Sequence, residues 1–353
     1  METIMEKKKN KKVALIVIIS IIAVIAIAVS VVVIYNSMGN NGRYTGPMYT
    51  SEEQVYDYFS AKIENKYDLN DHNSDIEEFI KDINKDFEDD TSAQIVQSAS
   101  PVDGELKEIC DEGNRMIITY FEEVYDISVE ERLNELKAYQ YDIPEDETGG
   151  LFMDKSEESG ADGKTIYLNV ASDCNLEESK WDILTVYCHE SMHYLGAAVV
   201  DSDDFENGVE MWLYFSEGVA ESFACSIISH SEEYVNYCNE MGNSPNLTAT
   251  AYFQVTPLVY QMVIADTDLV KLIFDRDDYV TAGELDKYID ESGMNGEDIA
   301  KVTSLVEINA ERDHVEIAQY YVGEYCKTFE LSNEEQIKIA DNFIVPIEVI
   351  SKK

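Results

Sequence analysis

Between residues 13 and 34 only two serines, Ser20 and Ser30, interrupt a run of apolar side chains. As a helix rising 1.5 Å per residue, this run spans about 33 Å, the thickness of a bilayer core. The pattern then breaks. Residues 36–50 hold Gly39, Asn40, Asn41, Gly42, Gly46 and Pro47, and read as a flexible stalk. Helical spacing follows over residues 51–142. Ile76, Phe79, Ile80 and Ile83 form one apolar stripe, and Met116, Ile117, Tyr120, Phe121 and Val124 another. Ser51–Gln54 and Ser128–Glu131 have the form of capping boxes. Residues 142–163, with one proline, four glycines and many acids, read as a loop or hairpin. Lys164–Val170 is rich in β-branched and aromatic residues and predicts a strand.

From Trp181 the period is helical again, and it ends at Gly196, which suits a helix C-cap. Tyr214–Ala224 predicts a second, largely buried helix, and a helical array follows over about 249–264, 282–291, 295–308, 311–328 and 333–342. The fold class expected is therefore mainly α with α+β character: a small mixed sheet, two central helices and a C-terminal helical lobe, preceded by one transmembrane helix.

The helix from Trp181 contains His189-Glu190-Ser191-Met192-His193. Residues four apart share a helix face, so both imidazoles can reach one ion, and Glu190 can reach a water beside it. This H-E-x-x-H spacing on a helix is that of zinc-dependent peptidases. A catalytic zinc usually takes a third protein ligand. The metzincin extension fails, because Val199 stands where its third histidine belongs. The segment Ser216-Glu217-Gly218-Val219-Ala220 resembles the N-E-G-x-A segment of the gluzincins, the thermolysin-like and M1 aminopeptidase-like peptidases.

The resemblance, which covers about residues 165–265, implies a zincin-like core with Zn2+ held by His189, His193 and Glu217. It implies that Glu221, one turn beyond Glu217, hydrogen-bonds the first histidine, because a ligating imidazole needs its other ring nitrogen held. Phe215, Val219, Ala220 and Phe223 surround the two glutamates, and buried carboxylates need partners. The resemblance further implies an edge strand beside the cleft just before the active-site helix, here residues 164–170, able to bind an extended peptide by β-addition. Glu190 would be the general base for a zinc-activated water. The oxyanion donor would be a tyrosine or histidine of the downstream helices. Tyr252 stands in a place like the tyrosine of the M1 Y-x-K-G segment, although the lysine and glycine are missing; Tyr260 and His230 are alternatives. The chain also lacks the G-x-M-E-N segment of M1 enzymes, which points away from aminopeptidases.

Charge adds topology. Lys7, Lys8, Lys9, Lys11 and Lys12 precede the apolar run, which places residues 1–12 in the cytoplasm, residues 13–35 as an uncleaved signal anchor, and the remainder outside. A cleaved signal peptide is the rival, disfavoured by the length of the run. The net charge is −45; with five lysines and two glutamates in residues 1–35, the remainder carries −48. A surface this acidic repels nucleic acid and anionic head groups. The six cysteines show no C-x-x-C framework. They suit either disulfides or small buried thiols.

The organisation expected is a basic tail (1–12), an anchor (13–35), a stalk (36–50), a helical region (51–163), a zinc-binding core (164–245) and a helical lobe (246–353). The function expected is a plasma-membrane-anchored extracellular zinc metallopeptidase acting on a peptide or protein substrate. The alternative is a cell-surface binding or sensor protein on a degenerate peptidase fold.

Overall fold

The structure, a computed structural model, describes Leu69 and residues 92–143, 149–153, 155, 159–200, 208–242, 252, 255–308 and 312–329. Contacts divide the chain into two units. The larger takes in Tyr49–Asn239 and Ser244–Lys353; the smaller takes in Met1–Met48 and Glu240–Asn243. The expected signal anchor, stalk, helical stripe at 76–83 and helix at 333–342 fall on residues outside the described ones. Among the described residues, no helix is long and apolar enough to cross a membrane.

The larger unit is mainly helical with one small mixed sheet. Its strands are β1 (Ser100–Pro101), β2 (Lys137–Tyr141), β3 (Gly150–Phe152) and β4 (Thr165–Asn169), in the spatial order β1-β2-β4-β3. β2 and β4 run parallel, from Lys137 opposite Thr165 to Tyr141 opposite Asn169. β1 and β3 are antiparallel edges. The expected strand at 164–170 is therefore present but interior. Its buried Thr165–Leu168 run fits a strand with a neighbour on each side. The edge beside the helix that carries His189 is β3 instead, drawn from the segment read as a loop or hairpin. β2 lies where helix was expected. Its pairing partners are more than twenty residues away, and that non-local contact outweighs local pattern.

The helices are α1 (Ser92–Ser98), α2 (Gly104–Tyr125), α3 (Glu130–Leu133), α4 (Leu176–Met192), α5 (Gly208–His230), α6 (Glu232–Met241), α7 (Thr256–Ala265), α8 (Thr267–Phe274), α9 (Ala282–Glu291), α10 (Gly296–Ile308) and α11 (Arg312–Lys327). The last two residues of α6 belong to the smaller unit. No capping box forms at Ser128, since α3 begins after Val129 without a side-chain cap. One does form at Thr281 and Glu284, at the start of α9.

α5 is the central helix. Trp212, Phe215, Val219, Ala220, Phe223, Ala224, Ile227 and Ile228 are buried on one side of it and Glu221, Ser222 and Cys225 on the other, so its middle turns are covered all round. It packs against α4, α7 and α10. α4 packs in turn on α2, β3 and β4. Phe121 of α2 stacks on Phe223 at 5.4 Å, and Phe274 closes on both rings at 5.0 and 4.7 Å. In the helical lobe Asp266 caps α8 through the N–H groups of Asp268 and Leu269, and accepts from the hydroxyls of Tyr288 and Tyr325. One buried carboxylate thereby ties α8, α9 and α11 together.

α4 does not stop at Met192. His193–Ala197 continue as a wider π turn, inside which Gly196 has φ 133°. A side chain at 196 would strike the carbonyl of Ile273, so glycine is required there for both conformation and space.

Candidate metal centre

The pairing of α4 with α5 brings four predicted residues together. His189 is the last-turn histidine of α4, His193 opens the π turn, and Glu217 and Glu221 lie one turn apart on α5. His189 Nε2 stands 3.2 Å from His193 Nε2 and 3.2 Å from Glu217 Oε2. His193 Nε2 stands 3.4 Å from Glu217 Oε2. His189, His193 and Glu217 form a group able to hold a metal ion, with His189 buried and the other two partly open.

The donor set can be tested against an ion. Bonds of about 2.0–2.1 Å at tetrahedral angles place ligand atoms roughly 3.3–3.4 Å apart. The three separations, 3.2, 3.2 and 3.4 Å, lie within about 0.2 Å of that value. Calcium fits poorly, since its bonds of about 2.3–2.6 Å go to oxygen.

The second nitrogen of His189 is also held. Nδ1 lies 2.9 Å from Glu221 Oε2, and Glu221 is almost fully buried. In the neutral ring, a proton on Nδ1 donated to Glu221 leaves the lone pair of Nε2 facing the shared centre. Burial disfavours a charged His189, but its hydrogen bonds with Glu217 and Glu221 prevail and raise its pKa well above the ordinary value. Burial likewise disfavours the Glu217 carboxylate, yet the charges and hydrogen bonds of His193 and His189 hold it well below the usual carboxylate range.

Glu190 is not in this donor set but stands beside it, its charge acting on both His189 and Tyr252. Its Oε2 accepts from the backbone N–H of Phe152 at 2.7 Å. The geometry of β3 explains why that N–H is available. Asn169 N donates to Gly149 O at 2.9 Å, so alternate residues Gly149 and Leu151 bond β4, while Gly150 and Phe152 turn their polar groups outward. Gly150 permits the approach, because a Cβ there would lie 2.6 Å from Val186 Cγ1 and 3.3 Å from Glu190 Cγ, both on α4.

Of the three oxyanion candidates, only Tyr252 is at the centre. Its ring lies 6.0 Å from that of His189 at 17°, and 6.2 Å from that of Tyr214. Its φ is 49°, a conformation unusual for a bulky residue, held by Thr256, whose N–H and hydroxyl both donate to its carbonyl. Burial, then the carboxylates of Glu217 and Glu190, raise its pKa, so the phenol stays protonated and able to donate. Tyr260 instead sits with Tyr120 and Ser226. His230 is exposed, paired with Glu123 at 3.0 Å at the far end of α5.

Sequence reasoning did not reach Phe152, Gly150 or Thr256. Only the glycine pair Gly149-Gly150 ahead of an apolar dipeptide carried a signal for a close backbone approach. The six cysteines are free, with Cys110, Cys188, Cys225 and Cys238 buried, so the small-thiol reading fits and the disulfide reading does not.

Compared with protein-family models, with curated proteins and with solved structures, the chain matches none.

Proposed function

We propose that this protein is a zinc metallopeptidase of gluzincin type, anchored in the plasma membrane with its catalytic unit outside the cell. The observation that carries the reading is the convergence of three donor atoms from His189, His193 and Glu217 at 3.2, 3.2 and 3.4 Å, beside a carboxylate that is not itself in the set. Two imidazoles and one carboxylate form the ligand set of many hydrolytic zinc sites, and they leave room for a water. Glu221 on the outer nitrogen of His189 supports the gluzincin assignment, as does the placement of both glutamates on one helix.

Zinc held there would acidify a bound water and polarise a carbonyl. The residues of the chain have separable parts in the reaction. Glu190 accepts the proton of the attacking water and passes it to the leaving amine. Phe152 N–H fixes one oxygen of that carboxylate, which leaves the other for proton transfer. The protonated phenol of Tyr252 donates to the oxygen that gains charge as the carbonyl is attacked. The outward N–H and C=O of Gly150, with the C=O of Phe152, offer an extended peptide a backbone to pair with. The anchor reading rests on the apolar run and its flanking lysines.

The test is metal analysis of the full chain purified in detergent, followed by digestion of an unbiased peptide library. About one zinc per chain and cleavage lost in Glu190→Gln are the expected results. Zinc uptake with no cleavage of any library member indicates the binding or sensor protein instead. No zinc uptake removes the metal reading.

A further inference from the structure

His193 sits at the one place where α4 leaves its regular helical register. A helix end leaves carbonyls without partners inside the helix. One of these belongs to Leu195, two residues beyond His193, and it accepts from Nη2 of Arg132, 63 residues upstream on α3. The same guanidinium donates through Nη1 to the carbonyl of Phe274, the last residue of α8, at 2.9 Å. The link is doubled from the other side, where the Tyr194 hydroxyl donates to the Arg132 carbonyl at 3.1 Å. Gly196 then seats the turn on the backbone of Ile273. Two helix C-termini thus meet at one cation, where their dipoles favour positive charge.

The clamp grips the π turn, not the body of α4. His189 is fixed independently, by Glu221, but His193 makes no hydrogen bond of that kind among the described residues. We propose that Arg132 is a positioning residue for the metal centre: by holding the Leu195 carbonyl it sets the register of the turn, and with it the direction of His193 Nε2. This rests on the metal reading above. The fork of a guanidinium suits the task, since it reaches two carbonyls at once in fixed geometry, whereas a lysine ammonium acts as a point charge.

The experiment compares full-length wild type, Arg132→Ala, Arg132→Lys and the exposed control Lys271→Ala. Circular dichroism of the metal-free forms reports the fold, competition with a chromophoric chelator gives the zinc Kd, and the visible spectrum of bound cobalt(II) reports ligand geometry. Arg132→Ala is expected to weaken zinc about 10–100-fold, as outer-sphere changes do. Arg132→Lys should show a smaller loss with an altered cobalt spectrum, and Lys271→Ala no change. Folded Arg132 variants that bind zinc within twofold of wild type overturn the proposal. If Arg132→Ala fails to fold, Arg132→Lys decides by the same criterion, and loss of fold in both assigns Arg132 to folding alone and overturns it too. A wild type that takes up neither zinc nor cobalt instead overturns the metal reading, and this proposal with it.

Discussion

The backbone N–H of Phe152 donates to Glu190 Oε2 at 2.7 Å, which joins the edge of the sheet to the residue that follows the first metal histidine. Glu190→Gln keeps the shape of that contact but cannot accept a proton. Peptide hydrolysis should fall by about 10²–10⁴, while zinc content stays near one per chain. Wild-type turnover in this variant would show that the base is another group.

Gly150 controls the same contact from below. Gly150→Ala places a methyl 2.6 Å from Val186 Cγ1, so either the Val186 side chain or β3 must shift. The expected result is a loss of kcat of up to about 10²-fold, since misplacement of a catalytic group by 1 Å can cost that much. Adding Val186→Ala restores space and should recover most of the rate. No recovery in the double variant would place the effect of Gly150 elsewhere.

Glu217 and Glu221 differ in what they touch, so their alanine variants should differ in zinc affinity. Glu217→Ala removes a ligand atom and should show the larger loss. Glu221→Ala frees Nδ1 of His189 and should weaken zinc about 10–100-fold. Chelator competition gives both values. Equal affinity of Glu217→Ala and wild type would move the third ligand to another residue.

Tyr252→Phe keeps the ring that stacks on His189 and removes only the hydroxyl. kcat should drop by roughly 10²–10³, as for loss of one oxyanion donor, with KM and zinc affinity little changed. Tyr260→Phe and His230→Ala should leave kcat intact, because neither side chain faces the centre. A reversed ranking in steady-state kinetics would rule out Tyr252 as the donor.

The buried thiols should be inert. Burial first, then the neighbouring charge of Asp111, push the Cys110 thiol up to about 12. At pH 8 about one part in 10⁴ is then thiolate, against roughly a quarter for an ordinary cysteine. Below about pH 12, alkylation of Cys110 in the native protein should rise about tenfold per pH unit. Cys174, half-buried at the start of α4, should be modified first. Mass spectrometry of timed iodoacetamide reactions reads both, and rapid labelling of Cys110 in folded protein would contradict the burial.

Much of the candidate metal centre was legible in the chain because it is local. His189 and His193 are one helical turn apart, Glu217 and Glu221 another, and a 3.6-residue period alone puts each pair on one face. Part of the helical lobe was legible for the same reason, down to the bounds of α9 at Ala282 and Glu291, but α8 was not among the expected helices and the one expected at 333–342 lies outside the described residues. The sequence alone could not decide how those faces meet. β2 was misread because its stability comes from pairing with β4, more than twenty residues away, and the edge strand was placed at 164–170 because local pattern cannot rank strands within a sheet. The choice among Tyr252, Tyr260 and His230 needed the packing of α7 on α5, which brings one of them to His189 and turns the others elsewhere. The contacts of Phe152 with Glu190 and of Arg132 with Leu195 each have a main-chain group as one partner, which carries no residue-type signature. Only the tertiary structure, by bringing distant segments within hydrogen-bonding reach, could reveal them.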